Sequence, residues 1–231
     1  MEQTIYSDGT YLRNNPEWHA DDSPWKAGHI ARLLQRHAVE PASICEVGCG
    51  AGEILRSLAS ELPDVPRFFG YEISPQAYRL CAAKSGGKFA FKLANLLEEP
   101  GFFDVVMAID VFEHVEDCFS FLRKLRTKGR YKVFHIPLDL SAAALVRPRK
   151  LIDMRRSVGH IHYFTKDTAL ALLEETGYKV IDHAYTSGAT ELGYRGWKSR
   201  LMKWPRQALY RVSPDAAARL LGGYSLLVLA E

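Results

Sequence analysis

The chain has 231 residues and a formal net charge of +3 at pH 7, with 47% hydrophobic and 25% charged residues. This ordinary globular composition, without repeats, excludes a low-complexity chain. No apolar run approaches the ~20 residues of a membrane-spanning helix, and no basic and apolar secretory signal opens the sequence. The four cysteines have no CxxC spacing, which favours reduced thiols. We therefore expect one domain over residues 1–231, located in the cytoplasm.

Helix and strand patterns alternate along the chain from residue 43 onward. Candidate N-caps are Ser74 and Thr165, and candidate helix stops are Gly129 and Gly177. An alternation of strands and helices predicts a parallel sheet covered by helices on both faces, which is an α/β fold. Helical spacing is found at 23–38, 52–62, 74–84, 117–129 and 166–176, and strand patterns at 43–47, 67–73, 88–94, 103–110, 131–137, 178–185 and 225–231.

The first predicted strand runs into a glycine-rich loop, ICEVGCGAG at residues 44–52, which leads into a helix. A helix N-terminus offers unpaired N–H groups, and glycines let a polar ligand approach the backbone closely. The next strand ends in Glu72, at the range where an acidic side chain accepts hydrogen bonds from ribose hydroxyls. These features together predict a site for an adenosine-type ligand. Glu53 stands where a dinucleotide fingerprint has its third glycine, and the G-K-[ST] of a P-loop is absent.

The E-x-G-x-G-x-G pattern resembles motif I of the class I S-adenosylmethionine-dependent methyltransferases. Segment 103–117, FDVVMAIDVFEHVED, and segment 159–182 are similar to the small-molecule branch of the ubiquinone-biosynthesis type. This resemblance implies S-adenosyl-L-methionine as the cofactor. It also implies a Rossmann-like, mostly parallel seven-stranded sheet with helices on both faces and an antiparallel last strand, here 225–231.

The resemblance also implies which residues contact the methionine end of the cofactor. Glu46 and the backbone of Gly48, Gly50 and Gly52 would lie against the methionine part. Asp110, at the end of the fourth strand, would approach its amino group.

Further residues would hold the nucleoside, again by resemblance. Glu72 would bind the ribose, and Ile73 would lie against the adenine. Asn95 and Leu96 would frame the other side of the adenine. Asparagine departs from the usual aspartate at this place, but its side-chain oxygen can still accept a hydrogen bond from an amino group.

Three histidines are candidate catalytic residues. A hydroxyl acceptor benefits from a base, and His114 follows the fourth strand at the edge of the sheet where ligands bind. His160 and His162 would face one side of a strand and could line the acceptor pocket. No third ligand accompanies this pair, so no metal site is predicted. The alternative for each histidine is a local structural role.

Positive charge is concentrated in two segments. Residues 141–163 carry a net charge of +4 and residues 186–223 a net charge of +5, against +3 for the whole chain. We interpret 1–42 as an N-terminal helical cap, and 138–163 and 186–223 as insertions that shape the acceptor site. Such charge favours an anionic acceptor, and a merely solvated basic surface is the alternative.

The second insertion contains a basic amphipathic helix pattern. Three explanations stay open: a lid over the site, a helix in a membrane interface that makes the protein peripheral to the membrane, or a homodimer contact through 194–210. Pro205 would kink or restart the helix. The apolar face is formed by Tyr194, Trp197, Leu201, Trp204 and Ala208.

The function favoured by these patterns is methylation of an oxygen on a small or lipid-linked acceptor. One alternative is a nucleic-acid or protein methyltransferase. Base N-methyltransferases often have [N/D/S]-P-P-[Y/F] after the fourth strand, where this chain has DVFE at residues 110–113. This difference disfavours a nucleic-acid substrate. A cofactor-binding protein without catalysis is the second alternative.

Overall fold

The structure, a computed structural model, describes residues 20–192 and 197–231. Its described strands form one seven-stranded sheet in the order β3-β2-β1-β4-β5-β7-β6. Strand β7 pairs antiparallel with both neighbours, and the other pairings are parallel. The predicted fold class, including the antiparallel last strand, is therefore confirmed. The strands are β1 Ser43–Val47, β2 Arg67–Glu72, β3 Phe89–Leu93, β4 Phe103–Ile109, β5 Gly129–Pro137, β6 Val180–Thr186 and β7 Ser225–Ala230.

Helices occupy both faces of the sheet, and short polar caps fix where several of them begin. The Ser74 hydroxyl accepts a hydrogen bond from the N–H of Ala77, and Thr165 forms a capping box with Thr168, as their positions predicted. The helices are α1 Ser23–Arg36, α2 Glu53–Glu61, α3 Pro75–Ala82, α4 Cys118–Arg126, α5 Ala142–Leu145, α6 Lys150–Ser157, α7 Lys166–Glu175, α8 Gly188–Glu191, α9 Trp197–Val212 and α10 Pro214–Leu221, with 3-10 turns at Ala20–Asp22 and Phe112–His114.

The core lies in two layers, one on each face of the sheet. Strand β4 shows the division, because Val105 and Met107 pack in one layer while Val106 and Ala108 pack in the other. The first layer contains α1, α2 and α3, and the second contains α4, α7 and α10. A central strand that is buried on both faces explains why the sequence of β4 is almost wholly apolar.

Gly129 has a different role from the predicted helix stop. Helix α4 ends at Arg126, and Gly129 is the first residue of β5. A Cβ atom at position 129 would lie 2.6 Å from Cγ2 of Val106 and 2.7 Å from the carbonyl oxygen of Phe103. The glycine therefore permits close approach of β5 to β4. This contact joins residues distant in sequence, so the local pattern could not predict it.

The basic amphipathic pattern does form a helix, α9, and Pro205 lies inside it without ending it. Trp204 is 77% exposed. Tyr194 lies outside the described residues, as do the side chains of Trp197 and Leu201, so the predicted apolar face is only partly described. Among the described helices, none has both the length and the apolar character needed to cross a bilayer.

Two glycines provide a matched test of the packing between sheet and loop. A Cβ atom on Gly70 in β2 would press on the Phe91 ring and lie 2.7 Å from Sγ of Cys49. Gly28 lies in α1, where an added Cβ would meet only the end of the Arg32 side chain at 3.4 Å. We expect Gly70→Ala to lower the free energy of unfolding by about 1–3 kcal/mol and Gly28→Ala to raise it by about 0.5–1 kcal/mol. Urea unfolding measures both. Equal effects of the two substitutions would contradict the described packing.

Candidate functional site

A cavity of about 1010 Å³ opens at the carboxyl ends of β1, β2, β4 and β5. This edge of a parallel sheet is where open α/β folds bind ligands. The cavity continues past β5 to a wall built by the segment after that strand and by α9. It brings together most of the predicted site residues, namely Glu46, Gly48, Gly50, Glu72, Ile73, Asp110, His114 and His160.

The glycine loop between β1 and α2 has the predicted backbone freedom. Gly48, Gly50 and Gly52 have φ values of +66°, +53° and +77°, a region that L side chains rarely adopt. Gly48 and Gly50 line the cavity. Gly52 does not, and a Cβ atom there would lie 2.8 Å from the Phe91 ring. The first two glycines thus expose the backbone to a ligand, whereas Gly52 allows α2 to pack on β3.

Glu72 holds the loop in place from the end of β2. Its Oε2 accepts a hydrogen bond of 2.8 Å from the N–H of Gly50, and its Oε1 accepts one of 2.7 Å from the N–H of Ser74. Burial raises the pKa of this carboxyl, and the two N–H groups oppose that rise. A carboxylate oxygen has a second lone pair, so each can still accept a ribose hydroxyl.

Glu46 is the buried polar group that most clearly indicates a ligand. Its side chain lies in the cavity wall at 2% exposure, and its Oε2 has no hydrogen-bond partner. Burial raises its pKa well above the ordinary value, and Lys26 opposes that rise. An unpaired buried carboxylate oxygen is costly unless a donor reaches it. The cationic amino group of a methionine moiety fits this requirement.

Asp110 lies at the end of β4 in a left-handed conformation, with a φ of +54°. Its Oδ2 is 2.8 Å from Nζ of Lys26 and its Oδ1 is 2.6 Å from Nδ1 of His135. Burial by itself would raise the pKa of Asp110, but His135 and Lys26 hold it well below its ordinary value. On its other side, Nε2 of His135 bonds Oγ1 of Thr186 at 2.8 Å. His135 is thus a core histidine with both ring nitrogens paired.

Lys26 is a site residue that sequence reasoning missed. It lies on α1 at 8% exposure, lines the cavity, and also bonds Oδ2 of Asp22 at 3.0 Å. The only signal in the sequence was a lysine among the apolar positions of the predicted helix.

Of the three residues predicted to contact the adenine, Ile73 lines the cavity, and Asn95 and Leu96 do not. Ile73 is 66% exposed and lies on the cavity wall. Asn95 is outside the cavity lining, with its Oδ1 accepting from the N–H of Leu97 and its Nδ2 donating to Oε1 of Glu98. Leu96 is fully buried in the core. The adenine roles of Asn95 and Leu96 stay predictions.

Glu113 and His114, which follow β4, lie next to His160, so that one carboxyl and two imidazoles are brought together. Ligand atoms of Glu113, His114 and His160 all lie within 4.8 Å of one another. Glu113 is fully buried and neither of its carboxyl oxygens has a hydrogen-bond partner. Asp139 bonds Nδ1 of His160 at 2.6 Å. Such a donor set can hold a divalent cation, so the expectation of no metal site stays a prediction.

The three predicted histidines, His114, His160 and His162, differ in their surroundings. Burial, followed by the nearby His160, lowers the pKa of His114 to about 4, so its imidazole is neutral at pH 7. His162 lies outside the cavity lining, and its Nε2 is 2.9 Å from the carbonyl oxygen of Val115. Sequence reasoning missed Glu113 and Asp139, because only the folded chain brings 113, 139 and 160 together.

Comparison with known proteins agrees with this geometry. A family described as a methyltransferase domain matches residues 18–183. No curated protein matches the sequence. The sheet, the glycine loop and the acidic end of β2 define the class of S-adenosylmethionine-dependent methyltransferases. This chain belongs to the methyltransferase domain family, whose cofactor is S-adenosylmethionine.

Solved structures share the fold at low sequence identity. A methyltransferase in complex with the Trm112 activator of Haloferax volcanii is 16% identical with a TM-score of 0.65, covering 96% of this chain and 94% of that one. The plantazolicin methyltransferase BpumL with S-adenosylhomocysteine is 16% identical with a TM-score of 0.63, covering 100% and 93%. Magnesium protoporphyrin IX methyltransferase of Synechocystis PCC 6803 with S-adenosylhomocysteine is 15% identical with a TM-score of 0.60, covering 90% and 82%. None of these three structures is described as a methyltransferase of ubiquinone biosynthesis, so the predicted resemblance to that branch is not confirmed.

The buried Glu113 carboxyl predicts a pH-dependent stability. Burial, followed by the charge of Asp110, raises its pKa well above the ordinary value, so the folded state holds this proton where the unfolded state has lost it. Stability from this group is present at low pH and is lost as the pH rises. We expect Glu113→Gln to raise the melting temperature relative to wild type more at pH 8 than at pH 5. A difference between the two proteins that is constant over this range would contradict the prediction.

Proposed function

We propose that this protein transfers a methyl group from S-adenosylmethionine to an oxygen of a small or lipid-linked, anionic acceptor. The observation that carries the proposal is the continuity of one cavity from the glycine loop to the cluster of His114 and His160. Both sets of residues line the same space, so a donor and an acceptor could be held side by side with water displaced.

The donor end of the cavity would be held by groups already in position. S-adenosylmethionine supplies an activated methyl group on a sulfonium. Glu46 would accept a hydrogen bond from its amino group, and Gly48 and Gly50 would let it lie against the backbone. Glu72 would accept from the ribose hydroxyls, and Ile73 would cover one face of the adenine. The residues thus bind and orient, which is most of what this chemistry requires.

His114 is the proposed base for the acceptor. Its imidazole is neutral at pH 7 because its pKa is lowered to about 4, so it can accept a hydrogen bond from an acceptor hydroxyl. The same shift makes it a weak base, and the charge of an anionic acceptor beside it would raise that pKa toward the operating pH. His160, oriented by Asp139, would hydrogen-bond the acceptor from the neighbouring position. His162 was grouped with these two by the sequence. We assign it the role of holding the segment after β4, since its ring bonds the Val115 carbonyl.

The acceptor end of the cavity is basic. Arg147 and Lys150 come from the 138–163 segment, and Arg206 comes from the 186–223 segment. These side chains support an acceptor that carries a carboxylate or phosphate near the reacting hydroxyl. They also support the interpretation of both segments as acceptor-side insertions in a single methyltransferase domain over 1–231.

The proposal also includes contacts of the protein with a membrane surface, a second copy of the chain or another protein. The exposure of Trp204 on α9 supports a contact of residues 194–210 with a membrane surface, as a lipid-linked acceptor would require, or with a second copy of the chain. The similar methyltransferase that is solved in complex with the Trm112 activator supports a protein partner for this chain as well.

The cofactor assignment is tested by calorimetric titration of S-adenosylmethionine, S-adenosylhomocysteine and NAD. We expect micromolar binding of the first two and none of NAD. Glu72→Ala should weaken that binding at least about tenfold, because it removes acceptors for the ribose and releases the Gly50 N–H. Glu61→Ala, which changes an exposed glutamate on α2, is the control and should bind like wild type. Binding of NAD, or of none of the three, would overturn the proposed function.

The base is tested once release of S-adenosylhomocysteine identifies an acceptor. His114→Gln should lower kcat by about 10²–10⁴-fold while leaving the affinity for S-adenosylhomocysteine unchanged. The wild-type kcat/KM, which reports the free enzyme, should be constant from pH 6 to 8 and fall as the pH approaches 4, where His114 becomes protonated. A parallel loss of S-adenosylhomocysteine affinity would instead assign His114 a structural role. Binding of the cofactor without any turnover would favour a non-catalytic protein.

A further inference from the structure

Helix α9 places an arginine on its inward face, at the acceptor end of the cavity. Arg206, Leu209 and Tyr210 are partly buried, and Leu209 and Tyr210 pack against the core. Their i, i+3, i+4 spacing puts them on one side of the helix. Among the described residues that line the cavity, Arg206 is the only one from α9. A guanidinium, which stays charged at any working pH, therefore lies beside apolar neighbours.

Arg206 lacks the partner that a buried cation requires. Its Nε is buried and has no hydrogen-bond partner among the described residues. An unpaired buried donor is costly until an acceptor reaches it. Helix α9 adjoins α8 and α10, but the carboxylates there and on the cavity wall already have partners. These pairs are Asp139 with His160, Glu191 with Trp25 and His29, and Asp215 with Lys166.

The backbone of α9 at Arg206 is fixed by an aromatic cluster. The hydroxyl of Tyr224, just before β7, donates a hydrogen bond of 3.3 Å to the carbonyl oxygen of Arg206. The ring of Tyr224 stacks on that of Tyr210, with the ring centroids 5.4 Å apart, and Tyr185 of β6 packs edge-on against both. The sheet thus holds this part of α9, so Arg206 would bind a ligand with little loss of backbone freedom.

Arg147 and Lys150, the other two cations of the acceptor end, are held differently. Both are exposed, and helix α6, which begins at Lys150, buries none of its residues. Exposed charges act mainly through long-range attraction, which salt screens. These two side chains would attract an anion without selecting it.

We propose that Arg206 is the specificity-determining residue of the acceptor site and binds a carboxylate or phosphate group of the acceptor. The planar guanidinium can donate two parallel hydrogen bonds to either group. The inference rests on the proposed function and deepens it, because it assigns recognition of the anion to one residue and makes the inward face of α9 part of the acceptor site.

The inference can be tested with small anions before an acceptor is known. Protein saturated with S-adenosylhomocysteine is titrated with benzoate, with inorganic phosphate and with benzamide, the uncharged analogue of benzoate, and NMR gives the affinities at about 0.15 M salt. We expect Arg206→Gln to weaken benzoate, phosphate or both at least about tenfold and benzamide by less than about twofold. Arg211→Gln, which removes an exposed arginine of the same helix, is the matched control. It should change all three by less than about twofold.

Each outcome bears on the inference. Loss of benzoate alone would assign a carboxylate to the acceptor, and loss of phosphate alone a phosphate. Equal weakening by Arg206→Gln and Arg211→Gln would overturn the inference, because the anions would then respond only to surface charge. Unchanged affinities in Arg206→Gln, or wild type that binds neither anion, would overturn it as well.

Two further measurements keep the test decisive. Should Arg206→Gln fail to fold, Arg206→Lys keeps the charge but loses the planar fork, and it should weaken the same anion at least about threefold. An affinity equal to wild type in Arg206→Lys would contradict bidentate binding. Failure of wild type to bind S-adenosylhomocysteine would overturn the cofactor assignment instead.

Discussion

The partly buried carboxylate of Asp110 is the constraint on which the rest of the site depends. It bonds Lys26 of α1 on one side and His135 of β5 on the other, and His135 in turn bonds Thr186 at the end of β6. Four elements that are far apart in sequence are thereby fixed relative to one another at the mouth of the sheet. Because the carboxylate is compensated from two directions, it stays ionised although it is partly removed from solvent. The left-handed backbone at this residue is the local cost of aiming the side chain at both partners.

The acidic and basic side chains of the cavity are unevenly distributed along its length, apart from Lys26, which is paired with Asp110, and Asp139, which is paired with His160. Glu46, Glu72 and Asp110 lie at the end formed by β1, β2 and β4, where a sulfonium and an ammonium would be bound. Arg147 and Lys150 lie at the end formed after β5. A cationic donor and an anionic acceptor would therefore each meet opposite charge, and each would be disfavoured at the other end. The neutral His114 lines the same cavity, where the proposed acceptor would release its proton.

Much of the fold follows from local patterns. Strands β1, β2 and β4 were predicted within a residue or two, because short apolar runs followed by glycine or polar turns have few other solutions. The caps at Ser74 and Thr165 were predicted from side chains that act on N–H groups three residues away. Gly129 was misread because its reason is a close contact with Phe103 and Val106 across the sheet, and a local pattern does not contain that contact. A local pattern likewise does not contain the close approach of Gly52 to the Phe91 ring, and the predicted contact of Gly52 with the ligand stays a prediction.

The sequence by itself determined the sheet, the glycine loop, the acidic end of β2 and hence the class of cofactor, because each of these depends on neighbours in the chain. It also identified His114, a residue of the cavity wall, as a candidate catalytic residue. Only the tertiary structure decided which residues share the cavity. It added Lys26, Glu113 and Asp139 and left Asn95, Leu96 and His162 outside the cavity wall. The physical reason is that a buried charge or an unpaired carboxyl is recognised by what surrounds it in space, and those surroundings come from helices and strands that the sequence places far apart.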